Sequence, residues 1–382
     1  MAKSVAKELD EVLAQQGSPC LSLYQPTYRQ PPQQAQNPIR YRNLLKQLTA
    51  TLHDRFDKQV ADECIAPLSS LADDPALFKP TLDGLAVLSC PGFLRVFKLH
   101  EAVPEMALVA NSFHIRPLIR IFQTTDRFQV LGISEGSVRL FEGNRNVLEE
   151  LEPGDGVPRT MMEALPEEYT DPSMPPGIDP QSREGFGGPV IHVAPRSRVD
   201  NYHTDVQRFF RVVDRAMTEH HSRPTGLPLV LAALPQHHAT FRGVSENPFL
   251  VDTAIDADPE GLSADEIRQR AWQLLEPQYL ARLERLREEF QAGQSKHLAD
   301  DDLPKLADAA AMSRVRTLLV DASKHQAGRI DVATGKVEWN GDEHEDVYDG
   351  LAELVLRRGG EVLVVPSERM PMPTGVAGIY RF

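Results

Sequence analysis

The sequence predicts an α/β protein built in three parts, and three observations carry that expectation. Apolar residues recur at helical spacing in some stretches and in short compact runs in others, and the two patterns alternate along the chain. The 382 residues exceed one ordinary core, because a domain takes about 150. The sequence of elements also changes character near residues 115 and 254, which gives domains at 1–114, 115–253 and 254–382.

In the first part, Val5, Leu9, Val12 and Leu13 predict a helix over 4–16 that ends near Gly17. CLSLYQP is a short strand, and the proline-rich PTYRQPPQQAQNP that follows is an exposed loop. Leu44, Leu45, Leu48, Leu52 and Phe56 predict one long helix from about Arg40 to Ile65, after which GLAVLSC, FLRVFKL and MALVA supply strands.

The second part opens with three expected strands, PLIRIFQ, RFQVLGIS and SVRLFEG, the last two joined by a tight turn at Glu135 and Gly136. A stretch from about Glu149 to Tyr202, rich in Pro, Gly and charge, shows no periodicity; loops of that length inside a domain are functional or disordered. It ends at a helix with Val206, Phe209, Phe210, Val213 and Met217 on one face and Thr204 as its cap, and PLVLAALP follows as a buried strand. The third part starts with a capping box at Ser263 and Glu266, and Pro277 is expected to break or restart that helix. Alternating helix and strand then predict a small α/β sandwich.

The apolar share of 41% supports a folded chain, no run of about 18 apolar residues exists to span a membrane, and MAKSVAKELDEVL lacks the apolar run expected of a signal peptide. Cys20, Cys64 and Cys90 are too scattered for a disulfide framework or zinc site, so the protein is expected to be cytoplasmic. No motif calls for a cofactor, a metal or a catalytic set: His237 and His238 lack a nearby third ligand. The net charge of −14 disfavours indiscriminate binding of nucleic acid or membranes.

That charge is unevenly spread. From Val12 to His53 there is no acid, while Arg29, Arg40, Arg42 and Lys46 stand among Tyr24, Tyr28 and Tyr41, a mixture suited to phosphates and unpaired bases. From Glu142 to Asp179 ten acids face Arg145 and Arg159 alone. From Arg183 to Arg223 seven arginines meet five acids, without lysine. Within this last segment lies REGFGGPVIHV, residues 183–193. It is no dinucleotide or P-loop fingerprint, but Gly185, Gly187 and Gly188 permit close approach of another molecule, and Arg183, Arg196 and Arg198 suit an anion.

Three stretches in this order, CLSLYQPTYRQPPQQAQNPIRYRNLLKQ, then VLGISEGSVRLFEG with its long loop and FFRVVDRAM, then DDLPKLADAAAMSRVRTLLVD with GGEVLVVPSERMPMPTGVAGIYRF, resemble the bacterial relatives of the archaeal and eukaryotic class-one release factors and Pelota. The resemblance covers nearly the whole chain. It implies a three-domain release-factor-like architecture: a first domain facing the decoding centre, an RNase H-like middle domain carrying the release loop, and a last domain similar to kink-turn-binding ribosomal proteins. It also implies ribosomal RNA of both subunits, tRNA and a GTPase of the elongation-factor type as partners.

In release factors that loop carries Gly-Gly-Gln, whose glutamine N–H steadies the charge developing on the ester of peptidyl-tRNA. Here Pro189 follows Gly187 and Gly188, and Gly-Gly-Gln occurs nowhere. Proline has no N–H, and loss of one such donor costs roughly 10² to 10³ in rate. The expectation is a factor that occupies or rescues idle or stalled ribosomes at the A site, as in hibernation under stress, without releasing peptide. Tyr28, Tyr41, Arg29, Arg40 and Arg42 would meet RNA in one domain, and Arg183, Arg196 and Arg198 in another. Two alternatives stay open: a peptidyl-tRNA hydrolase or release factor using a non-standard loop, with His192 as its donor, and a binding protein that kept the fold and left the ribosome.

Overall fold

A computed structural model describes residues 9–15, 17–79, 81–123, 126–134, 137–154, 156–165, 195–339 and 342–382, with the backbone alone at 195–202. The chain divides into two compact units, Met1–Thr125 with Gln278–Phe382, and Asp126–Pro277.

Among the described residues the first unit holds two four-stranded sheets and a two-stranded one. One has the order β3-β2-β1-β4, all antiparallel, from β1 (Cys20–Pro26), β2 (Gly84–Cys90), β3 (Phe93–Leu99) and β4 (Met106–Ala110). Alternation along β1 sends Leu21 and Leu23 to one face and Cys20 and Tyr24 to the other, and both faces are buried. The first face lies under two helices, α1 (Asn37–Arg55) and α2 (Lys58–Ala72). Sequence periodicity runs through this region as one helix, but the chain leaves helical geometry at Phe56 and Asp57 and doubles back. Leu44, Leu48 and Leu52 are thereby set beside Ala61, Ile65 and Leu68 over the same sheet.

The other face packs with residues from the last third of the chain, among them Leu306, Leu351, Val355 and Val376. That shared core is the physical reason why parts expected as separate domains, 1–114 and 254–382, contribute to one unit. The second sheet has the order β10-β15-β11-β14, from β10 (Ala299–Asp300), β11 (Val315–Asp321), β14 (Glu361–Val365) and β15 (Val376–Tyr380), with β11 and β14 parallel. Between them in sequence a small hairpin pairs β12 (Arg329–Ile330) with β13 (Val337–Glu338).

PLIRIFQ, read from sequence as a strand, forms helix α3 (Arg116–Phe122). Pro117 suits a first helical turn, where its missing N–H costs nothing. The amides of Ile115 and Arg116 both donate to the carboxylate of Asp349, 2.9 and 2.8 Å away, so the cap comes from the far end of the chain.

The second unit is one sheet of order β7-β6-β5-β8-β9, from β5 (Arg127–Ile133), β6 (Val138–Asn144), β7 (Leu148–Leu151), β8 (Leu229–Ala233) and β9 (Leu250–Asp256). Its first three strands are antiparallel, whereas β5, β8 and β9 run parallel, which is the RNase H-like arrangement. One face is covered by α4 (Pro195–Met217) and α5 (Pro235–Val244), through Phe209, Phe210, Val213 and Phe241. Thr204 is not the cap expected of it, because α4 begins nine residues earlier with Pro195 in its first turn. A π-helical turn at Thr218–Ser222 and a last turn to Thr225 extend the helical run until Gly226, whose φ of 67° ends it in the left-handed region.

The other face is covered by Ile267, Ala271 and Leu275 of α6 (Ala264–Gln294). The capping box is present: Glu266 N lies 3.3 Å from Ser263 Oγ, and Ser263 N donates to Glu266 Oε2 at 2.9 Å. Pro277 does not break α6, because a proline inside a long helix removes one hydrogen bond without stopping the rest. Two further helices, α7 (Leu303–Ala311) and α8 (Val347–Arg357), belong to the first unit, with Asp302 and Asp346 as their N-caps.

Candidate functional site

The cations expected to meet RNA through the first unit prove to be matched, one by one, with distant carboxylates. Arg29 makes two bonds of 2.9 Å to Asp83, and Arg42 lies 3.3 Å from Asp73. Arg40, with a side chain only 19% exposed, lies 2.5 Å from Glu105, donates to Pro26 O, and stands over the ring of Tyr28. The acid-free stretch of sequence is therefore not an acid-free surface.

Tyr41 requires a correction. It is fully buried, its ring packs edge-on against Phe78, and its hydroxyl donates to Leu68 O at 3.0 Å, so it ties α1 to α2 and has no face to offer a base. Tyr28 is partly exposed, its backbone held at both ends by the buried side chain of Asn37.

In the second unit, Arg183, Gly185, Gly187, Gly188, Pro189 and His192 lie outside the described residues. Arg196 and Arg198 fall in the first turns of α4, with side chains also outside them. The adjacent His237 and His238 diverge: the ring of His237 meets Phe210 edge-on, while His238 reaches Asp256 and Ala233 O. The central strands β5 and β8, RFQVLGI and LVLAA, carry no carboxylate.

Sequence reasoning missed a dense polar cluster in the first unit. It adjoins a cavity of about 250 Å³ lined by residues from Ala110–His114, Gly328–Val332 and His344–Glu353. Asp349 accepts from two backbone amides and lies 3.3 Å from His114 Nδ1. Arg116 pairs with Asp346 and donates to the carbonyls of Asp321 and Lys324 at 3.1 and 2.6 Å. Glu353 holds Arg357 at 2.6 Å, and Asn111 donates to Glu345.

Burial pushes the Asp349 carboxyl up to about 7 against the pull of the Arg116 guanidinium. Burial, then the charge of Arg116, pushes His114 down to about 3 and keeps it neutral. Each carboxylate already has its donors, so the cluster works as a clasp between α8 and the segment leading into α3. The signal was present in the sequence: Asp346, Asp349 and Glu353 recur at helical spacing among the apolar residues of α8.

Residues 127–314 match the family model described as bacterial archaeo-eukaryotic release factor family 3. Over that stretch, just under half of the chain, the sequence is similar to bacterial relatives of the archaeal and eukaryotic release factors. No curated protein matches its sequence.

Among solved structures it is similar to the archaeal translation termination factor aRF1, at 17% identity and a TM-score of 0.28 over 100% of this chain and 98% of that one. It is similar to ribosome-bound archaeal Pelota at 15% and 0.41, over 76% and 72% of the two chains. It is also similar to Dom34 of S. cerevisiae at 13% and 0.33, over 76% and 74%. The matched stretch contains the whole RNase H-like sheet and all of REGFGGPVIHV. Among the described residues no helix is long and apolar enough to cross a membrane.

Proposed function

We propose that this release-factor relative binds ribosomes, enters the A site of idle or stalled particles, and occupies or rescues them without hydrolysing peptidyl-tRNA. One observation carries the reading: a chain that matches a release-factor family over residues 127–314 has Pro189 directly after Gly187 and Gly188, and no Gly-Gly-Gln anywhere. The glycines keep the freedom for close approach, and the proline removes the amide that would steady an oxyanion. The three larger sheets serve as three functional modules: that of the first part faces the small subunit, the RNase H-like one the large subunit and tRNA, and the last docks a GTPase of the elongation-factor type. Arg183, Arg196 and Arg198 contact RNA beside the loop. The cytoplasm is the compartment this requires.

Sedimentation with purified ribosomes, paired with release of labelled peptide from stalled complexes, tests the reading. Co-sedimentation with no release above buffer is expected. Release in multiple turnovers that His192→Ala abolishes would establish the hydrolase alternative, and failure to co-sediment at low salt would remove the ribosome from the account.

A further inference from the structure

We propose that the outward face of α4, through Arg208, Arg211 and Arg215, is a docking surface for the phosphate backbone of double-helical RNA. This deepens the ribosome-binding reading and rests on it for the identity of the natural RNA.

The argument begins with how α4 sorts its charge. Val206, Phe209, Phe210, Val213 and Met217 face the sheet, and the two acids of that stretch, Asp205 and Asp214, are turned inward with them, only 4% and 3% exposed. Asp214 is satisfied there by Ser245 Oγ at 2.5 Å and by the amide of Glu246 at 2.8 Å. The arginines stay outside. Arg208, Arg211 and Arg215, spaced by three and four residues, form one exposed stripe with a span of roughly 10 Å.

Arg208 has Asp205 4.0 Å away, at the limit of an ion pair. Arg211 and Arg215 are exposed, and among the described residues no carboxylate lies within ion-pair distance of either. Like charges at these spacings repel by a few tenths of a kcal/mol per pair, so the stripe is a standing cost in the free protein. It is also a local excess of positive charge in a molecule of net charge −14.

The chemistry selects the partner. No lysine occurs from Arg183 to Arg223, and the planar guanidinium fork matches phosphate oxygens two at a time. A protein interface wants an apolar centre, whereas the only large apolar side chain exposed on α4 between Thr204 and Met217 is Val212, at 38%. A row of arginines without apolar surroundings suits a polyanion read by its backbone.

The test uses the full-length chain, a fluorescein-labelled RNA hairpin and purified ribosomes, with Arg211→Gln/Arg215→Gln beside the charge-keeping Arg211→Lys/Arg215→Lys. Removing two phosphate contacts lowers the slope of log affinity against log salt by about 1.5 and weakens hairpin binding roughly 30-fold at 0.1 M salt. The lysine pair retains most of the binding, and all three proteins share one melting temperature, since the changes are on the surface. Equal hairpin affinity and salt slope for the wild type and the glutamine pair overturns the proposal, as does a wild type that ignores the hairpin at low salt. Should the wild type bind the hairpin through the stripe but not co-sediment with ribosomes, the stripe stands and the ribosomal reading falls.

Discussion

Two sets of arginines, one in each unit, look alike as letters and differ in what surrounds them. Arg29, Arg40 and Arg42 come from a stretch without a single acid, yet the fold gives them Asp83, Glu105 and Asp73. Arg211 and Arg215 come from a stretch that mixes both signs, yet Asp205 and Asp214 are turned inward, and among the described residues no carboxylate pairs with either arginine. A run of like charge in sequence is therefore a poor guide to a charged surface. Partners tens of residues away cancel the first set, while in the second Asp214, next to Arg215 in sequence, is turned inward and taken up by Ser245 and Glu246. On the proposal above, the paired cations are silent toward RNA and the unpaired ones are those it would meet.

The sharpest way to break that comparison is at the most buried paired cation. Arg116→Met leaves Asp346 and Asp349 buried without their guanidinium, and loss of one partner of such a group costs about 3–5 kcal/mol. Hydrogen exchange at the amides of Ile115 and Arg116, which now donate to Asp349, should accelerate strongly, and the denaturation midpoint of the unit should fall, while hairpin binding by α4 is unchanged. Unaltered protection would show that the clasp is not structural.

What was legible in the sequence follows the range of the forces involved. Nearly all the long strands, the capping box at Ser263 and the amphipathic face of α4 are written in local periodicity, and they are where expected. The hairpin of α1 and α2 was hidden because its apolar stripe continues through the turn at Phe56 and Asp57. PLIRIFQ was misread because a short apolar run fits strand or helix equally, and the deciding cap, Asp349, stands 234 residues away. The same distance hid the clasp, and it concealed that both faces of the first sheet are buried, which would have joined the first and last thirds of the chain. Of the candidate site, the missing glutamine after Gly188 was plain from the letters, whereas the burial of Tyr41 was not.

A second experiment sharpens the comparison by converting one region into the other. Asp73→Asn with Asp83→Asn leaves Arg42 and Arg29 in place but removes their carboxylates. If pairing alone silences them, affinity for the RNA hairpin rises by up to roughly 30-fold at 0.1 M salt, and the salt slope steepens by up to about 1.5. Filter binding across a salt series reads both quantities. An unchanged slope would mean that position on the surface, rather than pairing, separates the two sets.

The smallest expected effect is the most discriminating. Arg29 and Asp83 form a two-bonded pair with side chains about 40% exposed, and pairs of that kind contribute roughly 0.2–1 kcal/mol. Arg29→Gln should shift the thermal midpoint slightly and leave hairpin affinity within about twofold, because the lost cation was already neutralised where it stood. The same substitution at Arg211 removes a bare cation, with the opposite profile: no shift in the midpoint and a measurable loss of RNA affinity. Measured side by side in one buffer, the two variants set the contribution of a paired guanidinium against that of an unpaired one. An Arg29 variant that loses as much RNA affinity as the Arg211 variant would show that Asp83 gives way when RNA arrives, and the first unit would then regain its place as an RNA-contact surface.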